Sequence, residues 1–131
     1  MDDLPTLVRD ARARASRSGF EYSCDDGVGN LLAVLAASVP ADGRILELGT
    51  GAGVGTAWIV HGVAGRADVE VVTVEVDPAR SASARSASWP PSLRFLVGDA
   101  VALLPSLGRF DLIFADAPGG KWEGLDLTVD A

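Results

Sequence analysis

The sequence predicts an α/β fold, a parallel sheet wound with helices on both of its faces. From residue 45 onward, short aliphatic runs alternate with helix-spaced segments, and that βαβ order closes into a parallel sheet. One of these runs, Val69 to Val76, is nearly continuous in β-branched residues, as a strand covered on both faces requires. Another, Ile45 to Leu48, breaks into glycine at every second position, Gly49, Gly51, Gly53 and Gly55, before a helix begins. An open parallel sheet receives its ligand beyond the carboxyl ends of its strands, and these glycines sit at such an end.

Taken in order, Leu4 to Ser18 places Leu4, Leu7, Val8 and Ala11 at helical spacing in an Ala- and Arg-rich stretch, which reads as a helix with a polar back. Asp25 or Asp26 offers an N-cap to a second helix, where Val28, Leu31, Leu32, Val34 and Leu35 build one broad apolar face ahead of Pro40. Strand one is Ile45 to Leu48, followed by a helix over Val54 to Val63 and strand two over Val69 to Val76. Pro78 suits the first turn of the next helix, which is expected to run through "ARSASARSAS" until Trp89-Pro90-Pro91 stops it. Leu93 to Val97 is strand three, Ala100 to Leu107 a short helix around Pro105, Gly108 a turn, and Phe110 to Asp116 strand four. The closing "LDLTVDA" reads as an interrupted helix. With no internal repeat and no linker, residues 1–131 are expected to form a single domain, two helices in 1–40 and the α/β core in 41–131.

Composition narrows the function. The net charge is −7 with scattered basic residues, which argues against nucleic acid, since phosphate binding needs clustered Lys and Arg. Cys24 is the only cysteine; it excludes an internal disulfide and fits a reducing compartment. The acidic start Met1-Asp2-Asp3 and the lack of an apolar run approaching a membrane span leave neither signal peptide nor membrane helix, so the cytoplasm is the expected location.

The glycine spacing restricts the ligand. Bare backbone lets the chain turn tightly and lets a ligand touch the main chain, and the helix that follows offers free amides; a strand-to-helix turn alone needs one or two glycines rather than four. A dinucleotide fingerprint, G-x-G-x-x-G, would place its last glycine three after the second. Here the frames put Val54 and Thr56 in that place, and no Gly-Lys-Ser/Thr follows for a phosphate loop. A nucleoside ligand without a pyrophosphate fits the pattern.

"ELGTGAGVGT", "VTVEVDP", "VGDA" and "FDLIFADAP" together resemble the first four motifs of class I S-adenosylmethionine-dependent methyltransferases. The phrasing is most similar to the small-molecule O-methyltransferases, the catechol and caffeoyl-CoA kind. Each motif alone is weak; four in order, each at the end of an expected strand between about Asp25 and Trp122, are specific. The resemblance implies a Rossmann-like doubly wound sheet with strand order 3-2-1-4, S-adenosylmethionine as cofactor and a small hydroxylated acceptor. It also implies further strands that family members carry after the fourth, so the chain is expected to be truncated, with strand four an exposed edge.

Residue by residue, the resemblance places the cofactor on Gly49, Gly51, Gly53 and Gly55. Glu75, about twenty residues after Gly55, would accept hydrogen bonds from the ribose hydroxyls; Asp77 is its rival, and motif register favours Glu75. Asp99 and the Ala100 amide match the adenine contacts, and Asp99 is also a good N-cap. Glu47 matches a carboxylate that meets the methionine ammonium, and an acid inside an apolar strand needs a partner. Asp116 closes the cofactor set and fills the place of an aspartate that helps bind a divalent metal such as magnesium. The family's catalytic lysine place is Gly119 here and the nearest lysine is Lys121, while Pro118 replaces a common acidic neighbour. Asp116 and Lys121 are therefore the catalytic candidates, with Lys121 as a base if burial lowers its pKa and Trp122 as a wall of the acceptor pocket.

Other residues read as structural. His61 falls within the helix after the glycines, away from the strand ends; Cys24 has no neighbouring metal or redox motif; Trp58 falls at helical spacing from Val54 and joins the core. Two alternatives stand beside the methyltransferase: a NAD(P)-dependent oxidoreductase, disfavoured by the missing third glycine, and a non-catalytic cofactor-binding module. A homodimer is a reasonable expectation from the apolar second helix and the open edge.

Overall fold

In a computed structural model of the chain, residues 3–20 and 24–131 are described; the acidic start read at Met1 and Asp2 lies outside them. Four strands, β1 (Arg44–Leu48), β2 (Glu70–Glu75), β3 (Leu93–Val97) and β4 (Leu112–Ala115), form one sheet in the order β3-β2-β1-β4, with every pairing parallel. This is the expected order. Among the described residues β3 and β4 are the sheet's edges.

Strand alternation sorts the side chains between two apolar layers. Ile45, Val71 and Leu93 point to a layer filled by α1 (Thr6–Ser18), α2 (Asp26–Ala37) and α3 (Val54–Gly62), whose Val8, Ala11, Leu32, Ala36, Ala57 and Ile59 are buried there. Leu46, Leu48, Val72 and Val74 point to the other face, where α5 (Ala100–Leu107) supplies Ala100 and Leu104, and α7 (Leu125–Asp130) adds Leu127. Helix α4 (Pro78–Arg85) follows β2, and α6 (Pro118–Lys121) is one distorted turn with non-helical backbone at Gly119 and Gly120.

Local chemistry accounts for the helix ends. The Asp25 carboxylate accepts from the Val28 amide at 2.9 Å, capping α2, and Asp77 and Asp99 do the same for α4 and α5. Helix α1 starts after Pro5 and stops at Gly19 in the left-handed region, its amide returning to the Ala15 and Ser16 carbonyls.

Several element boundaries differ from the sequence expectation. Helix α4 ends at Arg85 rather than continuing towards Trp89, because the indole N–H of Trp89 donates to the Ala84 carbonyl at 2.8 Å and turns the chain back. Strand β4 is shorter than expected at both ends, β2 begins at Glu70, and α3 ends at Gly62. Of the broad apolar face of α2 only Leu32 is buried: Leu31 and Val34 are 57% and 66% exposed, with Val28 and Leu35 exposed as well. Helix α2 instead packs on α3 through Gly29, Leu32 and Ala36, a strip of mostly small side chains that lets the two backbones come close. A Cβ on Gly29 would stand 2.2 Å from the Trp58 indole nitrogen, and one on Gly62 2.2 Å from the Ala33 carbonyl oxygen. As expected, Trp58 is core and His61 is exposed.

Candidate cofactor site

A cavity of about 580 Å³ opens at the carboxyl ends of the strands. The loop after β1 runs along it, anchored by Gly49 and Thr50 amides that both donate to the Val74 carbonyl, at 2.8 and 3.1 Å. Glu47, Gly49, Gly51, Gly55, Glu75, Asp99, Ala100, Asp116 and Lys121 all line the cavity. Gly53 lies off it.

The four glycines have separate reasons. At Gly49, with φ 101°, a Cβ would stand 2.7 Å from the Asp116 carbonyl oxygen, so β1 and β4 close on each other only over a bare backbone. At Gly51 a Cβ would press on the Phe20 ring, 2.8 Å away, and at Gly55 it would fall 2.5 Å from Glu47 Oε2. Gly53 turns the chain into α3 with φ 92° and faces Arg14 and Trp89.

Glu47 is 1% exposed and Glu75 4%. Glu47 Oε1 accepts from the Thr56 hydroxyl and from the Thr73 hydroxyl, the latter at 2.7 Å. Its pKa is pushed up from 4.5 to about 7, first by burial, against the two hydroxyl bonds, with Asp116 and Glu75 adding repulsion. Glu75 is held differently. Its Oε1 accepts the Gly51 amide at 2.9 Å and its Oε2 the Asp77 amide at 3.0 Å, with Arg80 Nη1 at 3.4 Å. Asp77 itself turns to the α4 amides at 2.9 and 3.4 Å; past the strand end, alternation no longer aims it with Glu75. Asp99 both lines the cavity and caps α5 through the Val101 amide at 2.9 Å, so capping does not take it away from the cavity.

Asp116 stands at the end of β4 with its amide on the Leu48 carbonyl at 2.9 Å. Burial raises its pKa, and Lys121 opposes the rise. Lys121 is exposed, its Nζ 5.3 Å from the centre of the Trp122 ring, and Trp122 is 79% exposed at the cavity mouth. Among the described residues no group of three or more His, Cys, Asp or Glu side chains is arranged to hold a metal ion, so a cation on Asp116 would need its other ligands from water or the acceptor.

Sequence reasoning missed Phe20, Cys24 and Arg80 in the lining and Thr56 and Thr73 behind it. Arg80 lies over the Phe20 ring at 4.9 Å while pairing with Glu75, a link between α4 and the end of α1 that no spacing in the sequence announces. The Cys24 thiol is pushed up to about 11 by burial and by Glu47, Asp25 and Asp116, which makes it a poor nucleophile.

Comparison with known proteins agrees with this geometry. A protein from Mycobacterium sp. (strain KMS) that carries an O-methyltransferase name is 35% identical over 118 residues, a match covering 85% of this chain and 52% of that protein. The crystal structure of the O-methyltransferase TomG from Streptomyces achromogenes, in complex with SAM, superposes with a TM-score of 0.76 at 26% identity, covering 95% of this chain and 61% of that one. Cofactor-bound Rv0187 from MTB gives 0.75 at 30% identity, with 87% and 54% covered. The chain thus spans about half the length of the relatives it matches. The sequence profile of a family described as a methyltransferase domain matches residues 46–125, from β1 to the start of α7, and the chain belongs to that methyltransferase family.

Proposed function

We propose that this chain is the S-adenosylmethionine-binding part of an O-methyltransferase acting on a hydroxyl of a small molecule. One observation carries the reading: two buried carboxylates, Glu47 and Glu75, flank bare backbone in one cavity at the sheet's carboxyl edge. A cationic nucleoside suits that seat, with its ribose on Glu75, its ammonium on Glu47, and its adenine beside Asp99 and the Ala100 amide. The likeness to O-methyltransferases, one of them in complex with SAM, supports the same ligand.

When bound, S-adenosylmethionine would supply a methyl group on a sulfonium, activated for attack by an oxygen. The residues of this chain then have to align the acceptor with that methyl and keep water out. Asp116 and Lys121 stand at the acceptor end, where Trp122 forms the rim. Lys121 faces solvent, so the burial that would make it a base is absent; drawn towards Asp116, its positive head can instead steady the attacking oxygen while the hydroxyl's proton leaves to solvent. No step in this scheme uses a metal.

The single domain over 1–131, a cytoplasmic setting and a homodimer belong to the same reading. The last is supported by the exposed Val28, Leu31, Val34 and Leu35 of α2. Calorimetric titration with S-adenosylhomocysteine and with NADH tests the function. Binding of the first at one site per chain and none of the second is expected, and the reverse would establish the oxidoreductase alternative. Methyl transfer to catechols, with and without magnesium, separates an active enzyme from a cofactor-binding module.

A further inference from the structure

The acid at the cation end of the cavity does not stand alone. Glu47 and Thr73 are register partners across β1 and β2 and point to the same face of the sheet. Thr56 reaches the same carboxylate from the first turn of α3. Both hydroxyls donate to Oε1, so the single proton of Thr73 is committed there. The Thr50 and Thr73 hydroxyls are 2.6 Å apart. Since a threonine hydroxyl has one proton to give, Thr50 must be the donor in that contact whenever Glu47 is ionised. A directed line of hydroxyls therefore runs from Thr50, inside the glycine loop, through Thr73 to Glu47. Oε2 takes none of these bonds and faces Gly55, which lines the cavity together with Glu47.

We propose that Thr50, Thr73 and Thr56 are positioning residues for Glu47: they point their protons at Oε1, keep the carboxylate charged in its buried place, and leave Oε2 as the oxygen that meets the ligand's ammonium. The proposal rests on the reading of the cavity as a seat for S-adenosylmethionine and adds to it residues that touch the ligand only through Glu47. The surroundings explain why such a device is needed. Glu75 faces Glu47 from β2, Asp116 from the end of β4 and the Cys24 thiol from the segment before α2, and the two carboxylates disfavour a further negative charge. The cations of the cavity are engaged elsewhere, Arg80 with Glu75 and Lys121 near Asp116. Hydrogen bonds to the charged form are what remains to favour ionisation.

Two measurements test this on the whole chain. Carbon-13 NMR of the Glu47 carboxyl follows its titration without any ligand; calorimetry across the same pH range compares S-adenosylhomocysteine, which has the ammonium, with adenosine, which does not. In Thr73→Val and in Thr56→Val the Glu47 midpoint should move up by about one pH unit. At neutral pH the ionised fraction then falls from about one half to about one tenth, so affinity for S-adenosylhomocysteine should drop about fivefold while that for adenosine holds. Thr73→Ser and Thr56→Ser should restore both. Thr50→Val, which reaches Glu47 only through Thr73, should give a smaller upward shift and keeps the test alive if the other variants fail to fold. An unmoved midpoint in a folded valine variant, or adenosine affinity falling alongside that of S-adenosylhomocysteine, would overturn the proposal. If the unaltered chain binds neither compound, the functional reading falls, and the NMR titration still decides on the hydroxyl line.

Discussion

Replacing Glu47 by glutamine should make the protein more stable at neutral pH and worse at holding a cationic ligand. The folded chain holds the Glu47 proton with a pKa of about 7, against the ordinary 4.5. A folded state that binds a proton more tightly than the unfolded chain loses stability as pH rises through that window. The loss is absent below 4.5 and complete above about 7. At about 1.4 kcal/mol per pKa unit, the charge on this fully buried group costs about 3 kcal/mol above neutrality. Glutamine accepts the Thr56 and Thr73 hydroxyls through its carbonyl oxygen and never ionises. Urea unfolding of both proteins at several pH values gives the difference directly, and other titrating groups cancel in it. The Glu47→Gln advantage should grow by about 3 kcal/mol between acidic and mildly basic pH, while affinity for S-adenosylhomocysteine falls roughly tenfold for want of a charged partner. A stability difference that stays flat with pH would refute the reasoning, because it would mean that Glu47 titrates alike in the folded and unfolded chain.

Close packing gives two further expectations. Gly29→Ala, which in a free helix gains up to about 1 kcal/mol, should instead destabilise by about 1–3 kcal/mol, since its Cβ would fall 2.2 Å from the Trp58 indole; thermal unfolding reads the sign. Gly55→Ala places a methyl 2.5 Å from Glu47 Oε2 and 3.2 Å from the Phe114 ring, so calorimetry should show S-adenosylhomocysteine affinity falling at least as far as in Glu47→Gln. Millimolar magnesium should change neither the melting temperature nor that affinity, because among the described residues Asp116 belongs to no group of three or more metal-ligating side chains. Lys121→Ala should leave stability within about 0.5 kcal/mol of the original while lowering any methyl transfer the chain supports.

The strands and the glycine loop were legible because each has a local cause. Valine runs fix β2, alternate glycines mark the loop, and an acid at a strand end stands out against apolar neighbours. The strand order came with the motif resemblance, not from periodicity. What stayed hidden depends on distant contacts. Thr56 and Thr73 lie seventeen positions apart and look like ordinary helix and strand residues; only the β1–β2 register brings Thr73 to Glu47. Which side of α2 packs was not legible, because hydrophobicity counts residues without saying which of them meet a neighbour. Gly29 in mid-helix was the available signal, as a conformationally costly residue there implies a close neighbour. Gly53 falls off the cavity lining and turns the chain into α3, a distinction that the even spacing of the four glycines does not carry.

The most direct test of the central claim is a crystal structure with S-adenosylhomocysteine. The nucleoside should lie along Gly49 to Gly51, its ribose hydroxyls on Glu75 and its ammonium on Glu47 Oε2. Finding the compound outside this cavity, or inside it with Glu75 turned from the sugar, would contradict the account.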